Sequence, residues 1–314
     1  MEPPLPPRIT EVIAELAETE RPLLSARLAE LSNLSSSELG LFQQVWPAIE
    51  TMRRQQIIRR LVELAENNVR LNFDAIFVIC LKDADAGIRS QAIEGLWENQ
   101  DASLITPLID LLEHDSSGRV RATAATALGK FAMLAEHQKL RPHYASRLVQ
   151  TLLAAVNDTG HPVEVRRRAL ESVAPLNLPG VKKAITEAYH SQDSKLKAGS
   201  VHAMGKNCDP SWLPIVLREL TSNDNEIRYE AASACGELGE EEAVPTLIKL
   251  TGDADIEVQL AAIRALGKMG GTEAKKYLVK CLKDRTEAVQ QAAAQALNEL
   301  EMGEDPFSLH PWLE

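Results

Sequence analysis

Aromatic residues are scarce in this 314-residue chain, Phe, Trp and Tyr together making up 4% of it. Sheet cores draw on β-branched and aromatic side chains, whereas Ala and Leu favour helices, so the scarcity turns the reading toward an all-helical fold. No apolar run reaches the about 18 residues that a membrane-spanning helix needs. The opening residues, MEPPLPPRITEVIAELAE, lack a basic segment followed by an apolar core, and they do not read as a secretory signal. The four cysteines, Cys80, Cys208, Cys235 and Cys281, form no CxxC pair and sit among apolar neighbours. They are expected to be reduced, buried thiols of a cytoplasmic protein. Nucleotide-binding glycine loops, a phosphate-binding loop ending in GK[ST] and HExxH are all missing. None of the seven histidines pairs with another at a spacing of three or four. These absences leave no cofactor, no metal site and no catalytic residue to expect, and the chain does not read as an enzyme. The four tryptophans, Trp46, Trp97, Trp212 and Trp312, are too scattered to form a stacking platform.

Charge is plentiful and unevenly placed. The chain carries 34 Lys and Arg against 45 Asp and Glu, a net charge of -11. Residues 139–206 hold 11 basic and 5 acidic side chains, between flanks of net -7 and -10. The overall acidity disfavours nucleic acid and anionic membranes as partners. The basic middle keeps a local patch open.

What the chain has most of is repetition. LKAGSVHAMGKN from Leu196, IRYEAASACGEL from Ile227, VQLAAIRALGKM from Val258 and VQQAAAQALNEL from Val289 align at a spacing of 31 residues. Gly205, Gly236 and Gly267 share one register, and Asn298 takes it in the last unit. Asp193, Asp224 and Asp255 each stand three residues before the aliphatic opener, where a helix N-cap belongs. Pro214 and Pro245 suit the first turn of a preceding helix, where a missing N–H costs nothing. Each unit therefore reads as helix A, a polar turn and helix B. Ile88-Arg89, Val120-Arg121 and Val165-Arg166 extend the pattern upstream, giving units over 71–100, 101–139, 140–177, 178–208, 209–239, 240–270 and 271–301. The B helices are expected over 86–99, 118–130, 163–173, 195–206, 226–237, 257–268 and 287–299, with small Ala contacts letting them approach closely. Asp253, Asp255 and Glu257 resemble a calcium loop only in composition, and capping accounts for them. The arginine after each opener is expected to pair with the cap Asp of its own or an adjacent unit.

Residues 1–70 do not follow this register and read as a helical N-terminal cap with a Pro-rich start. Residues 302–314 read as a C-terminal tail. The fold class expected is an all-α α-solenoid of stacked antiparallel helical hairpins, an armadillo-type superhelix with B helices on the concave side.

The units, with D-x-x-[IV]-R-x-x-A-x-x-A-L-G and near-variants, resemble HEAT repeats. Over residues 71–301 they resemble most closely the short, regular HEAT-like units named after phycobilisome chromophore lyases. The match is strongest at Asp224 to Gly236, Asp255 to Gly267 and Val120 to Gly129, and it departs at Ala174-Pro175 and at Gln259 and Gln290. The resemblance implies a solenoid that holds partners, and no lyase motif carries over to particular residues. The leading functional reading is a non-catalytic scaffold or adaptor binding a protein through its concave surface. The alternatives are a chromophore- or cofactor-handling lyase-like or chaperone factor, and nucleic-acid binding through the central basic patch. Phasing each B helix on its core stripe puts Arg119, Lys130, Arg168, Lys195, His202 and Lys206 on the concave face, followed by Glu226, Glu230 and Glu237. That stretch would suit a protein partner with an acidic segment. Arg167 and Lys197 would widen it.

Overall fold

The computed structural model describes residues 7–18, 20–283 and 286–304. The tail FSLHPWLE, with His310 and Trp312, and the first six residues lie outside them. The described residues hold eighteen α-helices and no strand. The chain divides into two compact units, one of residues 1–131 and 140–151, the other of residues 132–139 and 152–314.

The first unit opens with α1 (Pro7–Glu15), α2 (Ser25–Ala29), α3 (Ser36–Val45) and α4 (Thr51–Asn67). It continues with α5 (Asp74–Cys80), α6 (Ala86–Gly95) and α7 (Ile105–His114). Ser35 starts α3 with a capping box, its hydroxyl accepting from the Glu38 N–H while the Glu38 carboxylate accepts from the Ser35 N–H. Alternate helices pack on one another: α1 on α3, α2 on α4, α3 on α5 and α4 on α6. The fully buried Ile57, Ile58 and Leu61 give α4 its apolar stripe. The Asp83 carboxylate, with no exposed side-chain surface, takes a hydrogen bond from Trp46 Nε1 at 2.7 Å and an ion pair from Arg54. Residues 21–70 thus stack in the alternating manner of the repeats, although their spacing departs from 31.

Helices α8 (Gly118–Glu136) and α9 (Pro142–Asn157) run from one unit into the other. Helix α8 outlasts its expected end at 130, because FAMLAE offers no breaker before Gln138 takes a φ of 57°. Helix α6 stops at Gly95 rather than at 99.

The second unit contains α10 (Val163–Val173), α11 (Pro179–Tyr189), α12 (Ser194–Asn207), α13 (Leu213–Glu219) and α14 (Asn225–Leu238). It is completed by α15 (Val244–Leu250), α16 (Ile256–Met269), α17 (Gly271–Cys281) and α18 (Glu287–Glu304). The B helices α10, α12, α14, α16 and α18 pack in succession, and from α12 onward each also packs against the A helix before it. Asp193, Asp224 and Asp255 cap α12, α14 and α16 by accepting from N–H groups of the first turn. Pro214 and Pro245 stand in the first turns of α13 and α15, each after a short 3-10 turn.

The glycine register explains how closely the B helices approach. A Cβ on Gly205 would lie 2.7 Å from Ala234 Cα, one on Gly236 2.9 Å from Ala265 Cα, and one on Gly267 2.7 Å from Ala296 Cβ. Each glycine thus accepts the backbone of the next B helix, which presents an alanine. Asn298 ends the series on an exposed position, with no later B helix among the described residues to meet it. The small residues Ala231 and Ala262 are fully buried in the same stack. The fold is an all-α solenoid of stacked helical hairpins.

One cysteine departs from expectation. Cys80, Cys235 and Cys281 are buried, but Cys208 is exposed. It is the C-cap of α12, in the left-handed conformation at φ 53°, which carries its side chain off the apolar stripe.

Candidate functional site

The turns between A and B helices come first, because they fix the phase of each B helix. Asp83, Asp115 and Asp253 each stand two residues before a cap and accept the cap residue's N–H, at 2.8, 2.8 and 2.9 Å. Arg89 then reaches forward to Asp115 in a two-pronged pair, both contacts 2.7 Å, and Arg228 does the same to Asp253, both 2.8 Å. At these two B helices the arginine ties its unit to the next through the residue two before the cap rather than the cap Asp, whereas Arg166 donates to the Val156 carbonyl of the preceding helix at 2.9 Å. The Arg228 fork holds the Asp253 carboxyl below its ordinary range, against the opposing effect of burial. At Asp115 burial pushes upward, yet the Arg89 fork and the Ser117 N–H outweigh it. Lys197, in the same register on α12, pairs with Glu219 on α13 and lies over the Tyr189 ring. It therefore belongs to the A-helix side and does not extend the B-helix patch.

The polar face of the B helices in the second unit carries Arg167, Arg168, Lys195, His202, Lys206 and Lys268 among Glu164, Glu171, Glu226, Glu230 and Glu237. Arg168 folds back on its own helix, to Glu164 at 2.7 Å and Glu171 at 2.9 Å. His202 Nδ1 lies 2.9 Å from Glu230, and Lys206 donates to Glu237 at 2.7 Å. Lys268 meets the same Glu237 from the other side at 3.1 Å. Both lysines draw the Glu237 carboxyl down, against its burial. Lys195 is exposed and has no side-chain partner among the described residues.

Arg167 reaches furthest. It starts on α10, pairs with Glu171 at 2.7 Å, and crosses α12 to Glu226 at 2.5 Å and Glu230 at 3.4 Å on α14. Gly199 makes the crossing possible: a Cβ there would stand 2.7 Å from Arg167 Cγ. Burial opposes the guanidinium's charge, but the carboxylates of Glu171 and Glu226 keep it firmly protonated. Glu230, placed by phasing on the open face, is buried beneath Arg167 and His202. A shallow depression of about 270 Å³ opens beside this pair, lined by His202, Lys206, Tyr229, Glu230, Ser233, Ala234, Glu237 and Lys268.

In the first unit, Arg119 is exposed at the start of α8. Lys130 turns to the end of α6, donating to the carbonyls of Leu96 at 2.6 Å and Trp97 at 3.3 Å. Burial pulls its ammonium down to about 8. The structure thus joins Arg168 and His202 through Glu171, Arg167 and Glu230 in one cluster, sets Lys206 and Lys268 about Glu237 in a second, leaves Lys195 and Arg119 extended, and uses Lys130 to close a helix end.

Phasing each helix alone did not find the lattice. The signal was nonetheless present: Lys206, Glu237 and Lys268 share one register at successive spacings of 31, with alternating sign. Among the described residues no group of three or more His, Cys, Asp or Glu is placed to hold a metal ion. No helix of the described residues is long and apolar enough to cross a membrane.

Comparison with known proteins agrees with this architecture. A family model described as HEAT repeats matches residues 74–156 and 213–298. A comparison with curated proteins finds no match. Among solved structures, the complex of CpcE and CpcF of phycocyanin lyase from Nostoc sp. PCC7120 is similar at 20% identity, over 76% of this chain and 91% of that one, with a TM-score of 0.53. The YibA protein of E. coli is similar at 13% identity, over 96% and 99% of the two chains, with a TM-score of 0.44. An engineered protein is similar at 24% identity, over 63% and 97%, with a TM-score of 0.41. At 20% identity the likeness to the lyase complex is one of fold.

Proposed function

For this chain, which belongs to the HEAT-repeat family, we propose a non-catalytic role as a cytoplasmic protein-interaction scaffold, with a partner segment lying along the B helices of the second unit. The observation that carries the reading is the ion-pair lattice over α10, α12 and α14. It holds long polar side chains in fixed places before any partner arrives, so less side-chain entropy is lost on binding. The cations in that lattice are largely matched by glutamates. Lys195, exposed and without a side-chain partner among the described residues, remains for an acidic partner segment, beside the glutamate-paired but partly exposed Arg168, Lys206 and Lys268. Nucleic acid fits this face poorly, since phosphate binding draws on cations free to displace counterions.

The test is retention of partners from the native cell by the parent and by a variant carrying Arg168→Glu and Lys195→Glu, at low and moderate salt. Loss of the partner in the folded variant, with salt-weakened retention by the parent, is the expected result. Unchanged retention by a folded variant removes the face from consideration. Absorption spectroscopy of the same material covers the second reading: a bound tetrapyrrole would favour a chromophore-handling factor, in line with the fold likeness to the phycocyanin lyase complex.

A further inference from the structure

The repeat register makes one residue anomalous. Every unit from residue 71 onward opens its B helix with an aliphatic residue followed by a polar one: Ile88-Arg89, Val120-Arg121, Val165-Arg166, Leu196-Lys197, Ile227-Arg228, Val258-Gln259 and Val289-Gln290. Helix α4 fills the same place ahead of α6, and Arg54 pairs with Asp83 as Arg89 pairs with Asp115. The residue before Arg54, in the aliphatic register, is Arg53. It is as buried as its position demands, at 5% exposure.

The buried arginines elsewhere have carboxylates. Arg54 has Asp83, and Arg89 has Asp115. Arg53 has none among the described residues. Its Nε donates to the Leu16 carbonyl at 3.2 Å and its Nη2 to the Arg21 carbonyl at 2.8 Å. Those carbonyls orient the guanidinium but leave its charge uncompensated, and burial accordingly lowers its pKa. Arg53 also lines an open cleft of about 600 Å³ with Arg21, Gln56, Arg59 and Arg60. Arg59 is exposed and has no side-chain partner among the described residues. One partner of Arg21, the 18%-exposed Glu15, is shared with Arg27, while Arg21–Glu18 and Arg60–Glu63 are solvent-exposed pairs. Such pairs exchange at little cost. Glu20 and Glu63 lie on the rim, so the cleft carries four arginines against two glutamates.

We propose that this cleft between α4 and the turn after α1 binds a phosphate monoester. Two uncompensated guanidiniums, one buried and oriented and one free to swing, match a dianion better than a single carboxylate. Planar guanidinium forks suit its oxygens. The cleft holds more than a bare phosphate, which leaves room for the group that carries it. This site lies in the N-terminal region, apart from the B-helix face of the second unit, and neither proposal rests on the other.

Calorimetry on the full chain tests it with four probes: inorganic phosphate, phosphoserine, a short phosphoserine peptide and the same peptide unphosphorylated. The phosphorylated peptide is expected to bind at least tenfold tighter than its control. Arg59→Ala, an exposed change that leaves the fold intact, should remove at least tenfold of that affinity, while Lys183→Ala on the second unit should leave it unchanged. Arg53→Leu restores the aliphatic register and should abolish phosphate binding while raising the melting temperature. Saturation by free phosphoserine identifies a small-molecule source; binding of the peptide alone identifies a modified protein. Equal binding of the two peptides, no binding of any phosphorylated probe, or affinity untouched by Arg59→Ala would overturn the assignment.

Discussion

Gly236 sets two known effects against each other. In mid-helix, replacing Gly with Ala ordinarily gains up to about 1 kcal/mol by restricting the unfolded chain. At Gly236 the new methyl would stand 2.9 Å from Ala265 Cα, which is backbone and cannot swing aside. Overpacking of this kind costs about 1–3 kcal/mol. Gly236→Ala is therefore expected to lose about 1–2 kcal/mol in urea unfolding. Gly40→Ala in α3, where a Cβ meets nothing within 4 Å, is expected to gain up to about 1 kcal/mol. A gain at both sites would show that the B helices are not held at contact. The sequence displayed the glycine register plainly, and it displayed Asn298 in the last unit. It could not display the reason, because the atom that excludes a side chain at 236 belongs to a residue 29 positions away on another helix.

The forks from α6 and α14 to the next turn act between elements, and their strength depends on pH. The folded-state pKa of Asp253 is depressed below the ordinary value of 3.8. Its pair therefore contributes stability that is fully present above that value and is lost as pH falls through the folded pKa. Asp253→Asn is expected to cost about 2 kcal/mol at pH 7, since it leaves the largely buried Arg228 without its anion. The gap between parent and variant should stay constant from pH 7 to about 5 and narrow below about 4. Thermal melts of both proteins across that range measure it. A gap independent of pH down to 2 would mean that the carboxylate's charge is not what the fork supplies. The arginine after the opener was legible as a partner of aspartate, which Arg89 and Arg228 are. Its acceptor was misplaced by two residues, because the cap and the fork are separate tasks that the turn divides between two side chains.

For the whole molecule, the question is what covers the first regular repeat. Helix α4 packs on α6 and brings Arg54 and Trp46 onto the buried Asp83. Removing residues 1–70 would bare the apolar side of α5 and α6 and leave Asp83 without either donor. The truncated chain is expected to associate, read by light scattering at increasing concentration, while the full chain stays at one size. A monodisperse monomer of the truncated chain would mean that this region is not a cap. The 31-residue spacing concealed how similar the N-terminal hairpins are to the rest. Their turns differ in length, and the likeness resides in which helix packs on which.

The sequence by itself determined the helical hairpin, its period, its caps and its apolar stripes, because each rests on interactions within a few residues of one another. The caps of Asp193, Asp224 and Asp255, the first-turn prolines and the absence of strands among the described residues follow from that locality. Only the tertiary structure decided which charges remain for a partner. Glu226 and Glu230 lie about 60 residues from Arg167 along the chain yet share its ion-pair cluster, through a gap left by Gly199. Lys130 was placed on a binding face by its helix phase, and the packed chain turned it to the carbonyls that end α6. Charge neutralisation is a property of neighbours in space, and periodicity along one helix does not contain it.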